Sequence, residues 1–565
     1  MKALSPSRIG WSAVFVLLVS MALVSLAPAG EASEAGEDVR FLDLTLLVSQ
    51  EHPVNWPDIF PYFHINHYLK IGPRGPYNSD IITIDENTGT QFDSPAHGPV
   101  PREIGKITPE RVPIWQFLGE ACVIDVRDLL DDAPIGHSPL IRKQHVQDWE
   151  RRNRPLGPGD VVLFRSGYND KYFKPLPEGL GFVAQVAAGE KTAWPGPDAE
   201  TMDYVGSLGV LTAGIDSPSM GPLPPPGAME THGAGLKYGM LWTEGARNLD
   251  QLPVTGAVYL QLPPKHGGGI GAEVRAFGIV GEPLAPWLIE GARKHRVIDL
   301  SVQLSEDLPV WWPGPGAGNS RYRYYQHVLP LPYIPAQHQR AYDSHVGTNL
   351  VPPAYALPPE GFDPAAYSPQ VREWLGEYEK NHGPRGFSDV TAEKVPLSQT
   401  AGWARVIDVK HLIGSTKESD WPASPVIGPE DIREYEKQSG ELKPGEVVIF
   451  HSGYSDVYLK PFPQDKACIK DPLDGKREGW PAPGAEAVQY LADRGIRCVA
   501  TDGPTLGGVD PKKAVMTYWA LGSRGMVGVE YLTRVGSMPP KSYFIFAAPR
   551  IEGAHGGTGR AIAVY

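Results

Sequence analysis

Val161-Val162-Leu163-Phe164-Arg165-Ser166-Gly167-Tyr168 is repeated further along the chain as Val447-Val448-Ile449-Phe450-His451-Ser452-Gly453-Tyr454. The four apolar residues that open each stretch leave no polar face, the pattern of a strand buried on both sides, and Ser-Gly-Tyr then turns the chain. Working outward, the echoes continue. Phe41-Leu42-Asp43-Leu44-Thr45 returns as Val297-Ile298-Asp299-Leu300-Ser301, Pro53-Val54-Asn55-Trp56-Pro57 as Pro309-Val310-Trp311-Trp312-Pro313, and Val123-Ile124-Asp125-Val126 as Val406-Ile407-Asp408-Val409. Trp194-Pro195-Gly196-Pro197 returns as Trp480-Pro481-Ala482-Pro483. Every echo keeps its order, so the chain is a tandem duplication of a unit larger than a solenoid repeat. The copies are expected at about 40–285 and 296–565, with a junction near Glu290-Gly291-Ala292 and an insertion in the second copy over 361–386 that reads as helix from Val371 to Tyr378. Short β-branched runs alternate with helical patterns such as 145–152 and 431–438, which gives each copy an α/β fold.

Composition narrows the function classes. At 565 residues the chain exceeds one ordinary core, and a net charge of −13 without a basic stripe argues against nucleic acid and for a small-molecule substrate. The 63 glycines and 58 prolines are scattered, which implies many ordered loops. Lys2 and Arg8, an apolar run from Trp11 to Leu26, and Ala27-Pro28-Ala29 read as a secretory signal over 1–29 cleaved after Ala29, hence an exported protein; an uncleaved anchor is the alternative. The three cysteines, Cys122, Cys468 and Cys498, have no metal-like spacing, and Cys122 and Cys498 open strand-like runs as buried thiols.

Candidate chemistry gathers in Glu86-Asn87-Thr88-Gly89-Thr90-Gln91-Phe92-Asp93-Ser94-Pro95-Ala96-His97-Gly98. Two amides, a carboxylate and an imidazole converge if the segment is extended, because Gln91, Asp93 and His97 then share a face. The second copy reads His345-Val346-Gly347-Thr348-Asn349-Leu350-Val351-Pro352-Pro353-Ala354-Tyr355, so Asp93 has become Val351 and His97 has become Tyr355. Later, Thr231-His232 becomes Thr517-Tyr518 while Glu244 persists as Glu530. Three ionisable groups lost together are expected if they serve one site that only copy one keeps. Asp216, matched by Asp502, reads instead as a structural loop cap.

This pattern resembles the cyclase superfamily of metal-dependent hydrolases, the family of kynurenine formamidase and isatin hydrolase. Its signature, His-x-Gly-Thr-His-x-Asp-x-Pro-x-His, is matched as Asn87-x-Gly89-Thr90-Gln91-x-Asp93-x-Pro95-x-His97, with His232 and Glu244 as the later pair and Pro264–Arg275 as the glycine-rich close. The resemblance implies two tandem swivelling β/β/α domains arranged as a pseudo-dimer. It implies one divalent ion, Mn²⁺ or Zn²⁺, held by Asp93, His232 and Glu244 with Gln91, since amides stand where the family has two histidines. It makes His97 the acid/base, and Asn87, Trp56, Trp311 and Trp312 substrate-binding residues, with the two tryptophans of copy two walling the site of copy one. The implied activity is hydrolysis of a small amide, cyclic amide or lactone. A non-hydrolytic cyclisation or dehydration on the same metal, and binding without turnover, are the other readings open at this point.

Overall fold

The structure is a computed structural model and describes residues 39–54, 63–309, 324–329 and 337–565. Trp56, Trp311, Trp312 and the expected signal segment lie outside the described residues.

Copy one contributes β1 Arg40–Asp43, β2 His64–Leu69, β3 Ser79–Asp85, β4 Gln91–Asp93, β5 Leu118–Asp125, β6 Leu140–Ile141, β7 Asp160–Arg165, β8 Gly196–Pro197, β9 Thr212–Ile215, β10 Leu241–Glu244, β11 Val258–Leu262, β12 Gly271–Glu273 and β13 Arg275–Val280. Copy two contributes β14 Val297–Asp299, β15 Tyr324–Leu329, β16 Gln337–Asp343, β17 Asn349–Val351, β18 Ala401–Asp408, β19 Val426–Ile427, β20 Val447–His451, β21 Ala482–Pro483, β22 Cys498–Thr501, β23 Val527–Glu530, β24 Tyr543–Ala547, β25 Gly557–Thr558 and β26 Arg560–Val564. The two large sheets run β1-β13-β11-β5-β7-β9-β10-β4-β12 and β14-β26-β24-β18-β20-β22-β23-β17-β25, so each strand of the first sheet has a counterpart thirteen strands later, in the same order. This is a mixed α/β fold written twice. The central strands are parallel, and Val161 to Phe164 of β7 are at most 1% exposed, as their unbroken apolar run requires. The helices read from sequence form as Lys143–Arg152, Pro429–Ser439 and, in the insertion, Pro369–His382. A further helix, Leu284–Arg293, occupies the stretch between the copies.

A third sheet, β15-β16-β3-β2, joins the copies. Its centre is the antiparallel pair β3–β16, in register Asp85↔Gln339 and Ile81↔Asp343. Exchanging the copies exchanges those two pairs, so the strands meet about a local pseudo-twofold. Ile82 and Ile84 of β3 share one apolar cluster with Tyr324 and Tyr342 of β15 and β16, which makes the junction of the copies part of the core.

Polar groups are buried at the same junction. Arg340 of β16 is fully buried and donates from Nη2 to Glu86 Oε2 and to the Gly271 carbonyl, both at 3.1 Å. Next to it His266 stands with Nε2 3.1 Å from Glu273 Oε1 and Nδ1 3.1 Å from Tyr324 Oη. Burial, aided by the Arg340 charge and opposed by Glu273, pushes the His266 pKa down to about 4. The unfolded chain takes up this proton near pH 6.5, so between there and about 4 the unfolded state binds a proton that the folded state does not. The contribution is complete above pH 6.5 and is lost as pH falls, to the extent of about 3 kcal/mol. Denaturation midpoints compared at pH 7 and pH 4.5 should therefore differ less in His266→Gln than in the unaltered chain. Equal pH dependence in the two would exclude His266 as the cause.

Candidate metal centre

Glu86 to Gly98 is not one extended segment. A turn carries Asn87 to Gly89, β4 ends at Asp93, and Pro95–His97 is a single 3-10 turn. The expected shared strand parity therefore applies to Gln91 and Asp93 only. His97 reaches the same place because Pro95 starts a helical turn that returns residue i+4 over residue i. Its Nδ1 lies 3.3 Å from Asp93 Oδ1. Gly89 makes the entry possible: its φ is +68°, and a Cβ there would stand 2.8 Å from Val48 Cγ2.

β4 lies between β10 and β12. In register Gln91 faces Glu244 and Asp93 faces Trp242, which puts the two carboxylates on one face of the sheet. The helix Gly227–Leu236 lays His232 over that face, its ring 5.1 Å from Trp242 and 5.3 Å from His97. His232 Nδ1 donates to the Ala228 carbonyl at 2.6 Å, which leaves the Nε2 lone pair directed at Asp93 Oδ2, 3.5 Å away, and at Glu244 Oε1, 3.7 Å away. Gly221 allows the helix this close, since a Cβ would meet Ala228 Cβ at 2.5 Å and His232 Cε1 at 3.2 Å. Glu244 is fixed in turn, Oε1 accepting from Met220 N and Ser219 Oγ and Oε2 from Gln91 Nε2.

The cluster is short of positive charge. Both Asp93 oxygens are buried without a hydrogen-bond partner, as are His97 Nδ1 and Asn87 Oδ1. Burial raises the Glu244 pKa and the Asp93 carboxylate adds to it. Burial alone would depress His232, but Asp93 and Glu244 outweigh it and hold its pKa above the usual value. His97 moves the other way: burial, with His232 adding to it, depresses its pKa against the pull of Asp93, which favours the neutral imidazole. A fully buried carboxylate with two unpartnered oxygens, set between two imidazoles, has the donor set a divalent cation needs. Asp93, His97 and His232 each place a ligand-type atom within 4.8 Å of the others.

Copy two keeps the frame and loses the donors. Asn349 faces Glu530 and Val351 faces Gly528 in the register of their counterparts. Tyr518, in the place of His232, donates to Glu530 Oε1 at 2.6 Å, so that carboxylate is hydrogen-bonded by a phenol where Glu244 faces an imidazole. Tyr355, in the place of His97, stacks on Tyr77 at 4.9 Å. Asp216 is the cap its sequence setting implies, accepting from Ser166 N, Ser166 Oγ and Gly167 N, and Asp502 repeats those bonds in copy two. Arg340 and Glu86 are the contributors that the sequence reading did not single out. Glu86 Oε2 also accepts from Ile270 N and Gly271 N, and Gly271 is the residue of β12 opposite Asp93. Arg340 of copy two thus braces the strand that backs the centre of copy one.

Two nine-stranded sheets of matching strand order, the first carrying a buried carboxylate–imidazole cluster, define a duplicated α/β protein with a candidate metal centre. The sequence model of the Cyclase family matches residues 42–222 and 298–507, more than half of the chain, and the chain belongs to that family. Isatin hydrolase of Roseibium aggregatum is 23% identical over 221 residues, 38% of this chain and 79% of that protein. Isatin hydrolase A from Ralstonia solanacearum is similar in structure at 23% identity and a TM-score of 0.38, all of that chain corresponding to 49% of this one. A predicted metal-dependent hydrolase from Bacillus stearothermophilus is similar at 17% identity and a TM-score of 0.31, 97% of it corresponding to 47% of this chain.

Proposed function

We propose that this chain is an exported metal-dependent hydrolase of a small amide, cyclic amide or lactone, with its active centre in copy one. The observation that carries the reading is Asp93, a fully buried carboxylate whose two oxygens have no hydrogen-bond partner and face His97 and His232. Membership of the Cyclase family and similarity to isatin hydrolase support hydrolysis as the reaction class. The replacement of Asp93, His97 and His232 by Val351, Tyr355 and Tyr518 supports copy one as the active half.

In this reading Asp93, His232 and Glu244 hold one divalent ion, Mn²⁺ or Zn²⁺, with Gln91 as a further ligand or as the group that steadies Glu244. Such an ion acidifies water and polarises a carbonyl. Neutral His97 takes a proton from the attacking water and returns it to the nitrogen or oxygen that leaves, so the imidazole ends each turnover as it began. Ala228 holds His232 in one tautomer, Met220, Ser219 and Gln91 fix Glu244, and Asn87 Oδ1 offers a buried acceptor to a substrate N–H.

Elemental analysis of mature protein prepared without chelator tests the reading. Asp93→Asn is expected to carry one equivalent less Mn or Zn than the unaltered chain and to lose turnover on amide and lactone substrates. Equal metal content in the two proteins would sink the assignment.

A further inference from the structure

A second cluster of donors lies away from this centre, where β2 and β3 of copy one meet the glycine-rich tail of copy two. Asp80 of β3 is fully buried, and its Oδ1 lies 2.6 Å from His67 Nδ1 and 2.9 Å from His555 Nδ1. Its other oxygen is anchored separately, by His555 N at 2.6 Å and Ser344 Oγ at 3.3 Å. The carboxylate is therefore held by one edge and presents the other to two imidazole nitrogens, as hydrogen bonds from behind orient a ligating carboxylate. His67 sits in an irregularity of the β2–β3 pairing, between the pairs Asn66↔Ile81 and Leu69↔Ser79.

Charge makes the arrangement unusual in this protein. Under the tail of copy one the buried carboxylate is Glu86, which accepts from Ile270 N and Gly271 N and is met by the Arg340 guanidinium. Asp80, equally buried, forms ion pairs among the described residues only with His67 and His555. Burial would raise the Asp80 carboxyl, but the bonds from His555 and His67 outweigh it and favour the anion. The three ligand-type atoms lie within 4.8 Å of one another, and His67 and His555 border a cavity of about 380 Å³ that is also lined by Asp389, Glu393, Glu552 and one lysine, Lys394.

We propose that His67, Asp80 and His555 form a second metal site, for a zinc-type divalent ion, that clasps the β2–β3 hairpin of copy one to the tail of copy two. Tetrahedral zinc with nitrogen and oxygen ligands places those atoms about 3.4 Å apart, so the three side chains need open by less than about 1 Å. Each imidazole binds through Nδ1 and keeps its proton on Nε2. A water would complete the four-coordinate set, beside the cavity that His67 and His555 line. Copy one has no equivalent, because Ile270 stands where copy two has His555 and His338 where copy one has Asp80.

The test is zinc titration of the full mature chain in the Asp93→Asn background, read by calorimetry and by thermal unfolding. Asp93→Asn is expected to bind one equivalent of zinc and to unfold at a higher temperature with zinc than without. Adding His67→Ala, a change at a residue about one-third exposed, should weaken that binding on the order of 100-fold and abolish the thermal shift. His555→Ala should do the same. Absence of zinc binding in Asp93→Asn, or zinc affinity unchanged by His67→Ala, overturns the proposal. Neither result bears on the Asp93 centre, which is judged by the metal lost between the unaltered chain and Asp93→Asn.

Discussion

His97→Ala is expected to lower kcat by about 10²–10⁴-fold while metal content stays that of the unaltered chain. The residue is 8% exposed and packs beside His232, so removing its ring leaves a space at the reacting end of the site and not in the sheet that holds Asp93 and Glu244. Its pKa direction supplies a second reading of the same variant. Because burial depresses His97 below the ordinary 6.5, the competent neutral form persists to lower pH than for a free imidazole. The kcat/KM of the unaltered chain should rise with pH through an apparent pKa below 6.5 and be level by neutrality. In His97→Ala that acid limb should vanish together with the rate. A variant that turned over normally, or kept the limb, would show that the proton is carried elsewhere.

The duplication was legible because it is written in local pattern. Val161–Phe164 and Val447–Phe450 announce buried strands by having no polar face, and Ser166-Gly167 and Ser452-Gly453 announce the turns that Asp216 and Asp502 then cap. The site was legible in part for a different reason: within one chain, copy two is a record of which donors can be dispensed with when the backbone is kept. That comparison picks out Asp93, His97 and His232, which the structure does bring together. What escaped was whatever depends on pairing between distant segments. Arg340 lies in Gln337-His338-Gln339-Arg340-Ala341-Tyr342-Asp343, which reads as a polar strand, and nothing local says that β16 will pair with β3 and bury a guanidinium under Glu86. His67, Asp80 and His555 escaped in the same way, since hundreds of residues separate the first two from the third. The His97 geometry was misread for the opposite reason, a local one: parity counts only while a strand continues, and Pro95 ends this one.

That buried guanidinium is where the largest stability effect is expected. Arg340→Ala should lower the denaturation midpoint by the equivalent of about 3–5 kcal/mol, the cost of leaving an interior charge without its partner. Glu86 has no solvent to turn to: it is fully buried, and its remaining partners are the amides of Ile270, Gly271 and His338 and the His338 ring. The variant should also lose catalytic rate, although Arg340 belongs to the copy that lacks the centre. The Gly271 carbonyl loses its buried donor, and Gly271 lies directly across the ladder from Asp93, so slack in β12 reaches the carboxylate through one strand pair. Glu86→Gln in the Arg340→Ala background removes the orphaned charge and should recover a large part of the stability. It should recover less of the rate, because the Gly271 carbonyl stays without its donor. A coupling energy near zero between the two positions would mean that the pair is neutral in the fold, and that the copies are held by the β3–β16 ladder and the apolar contacts of Ile82, Ile84, Tyr324 and Tyr342 without help from this ion pair.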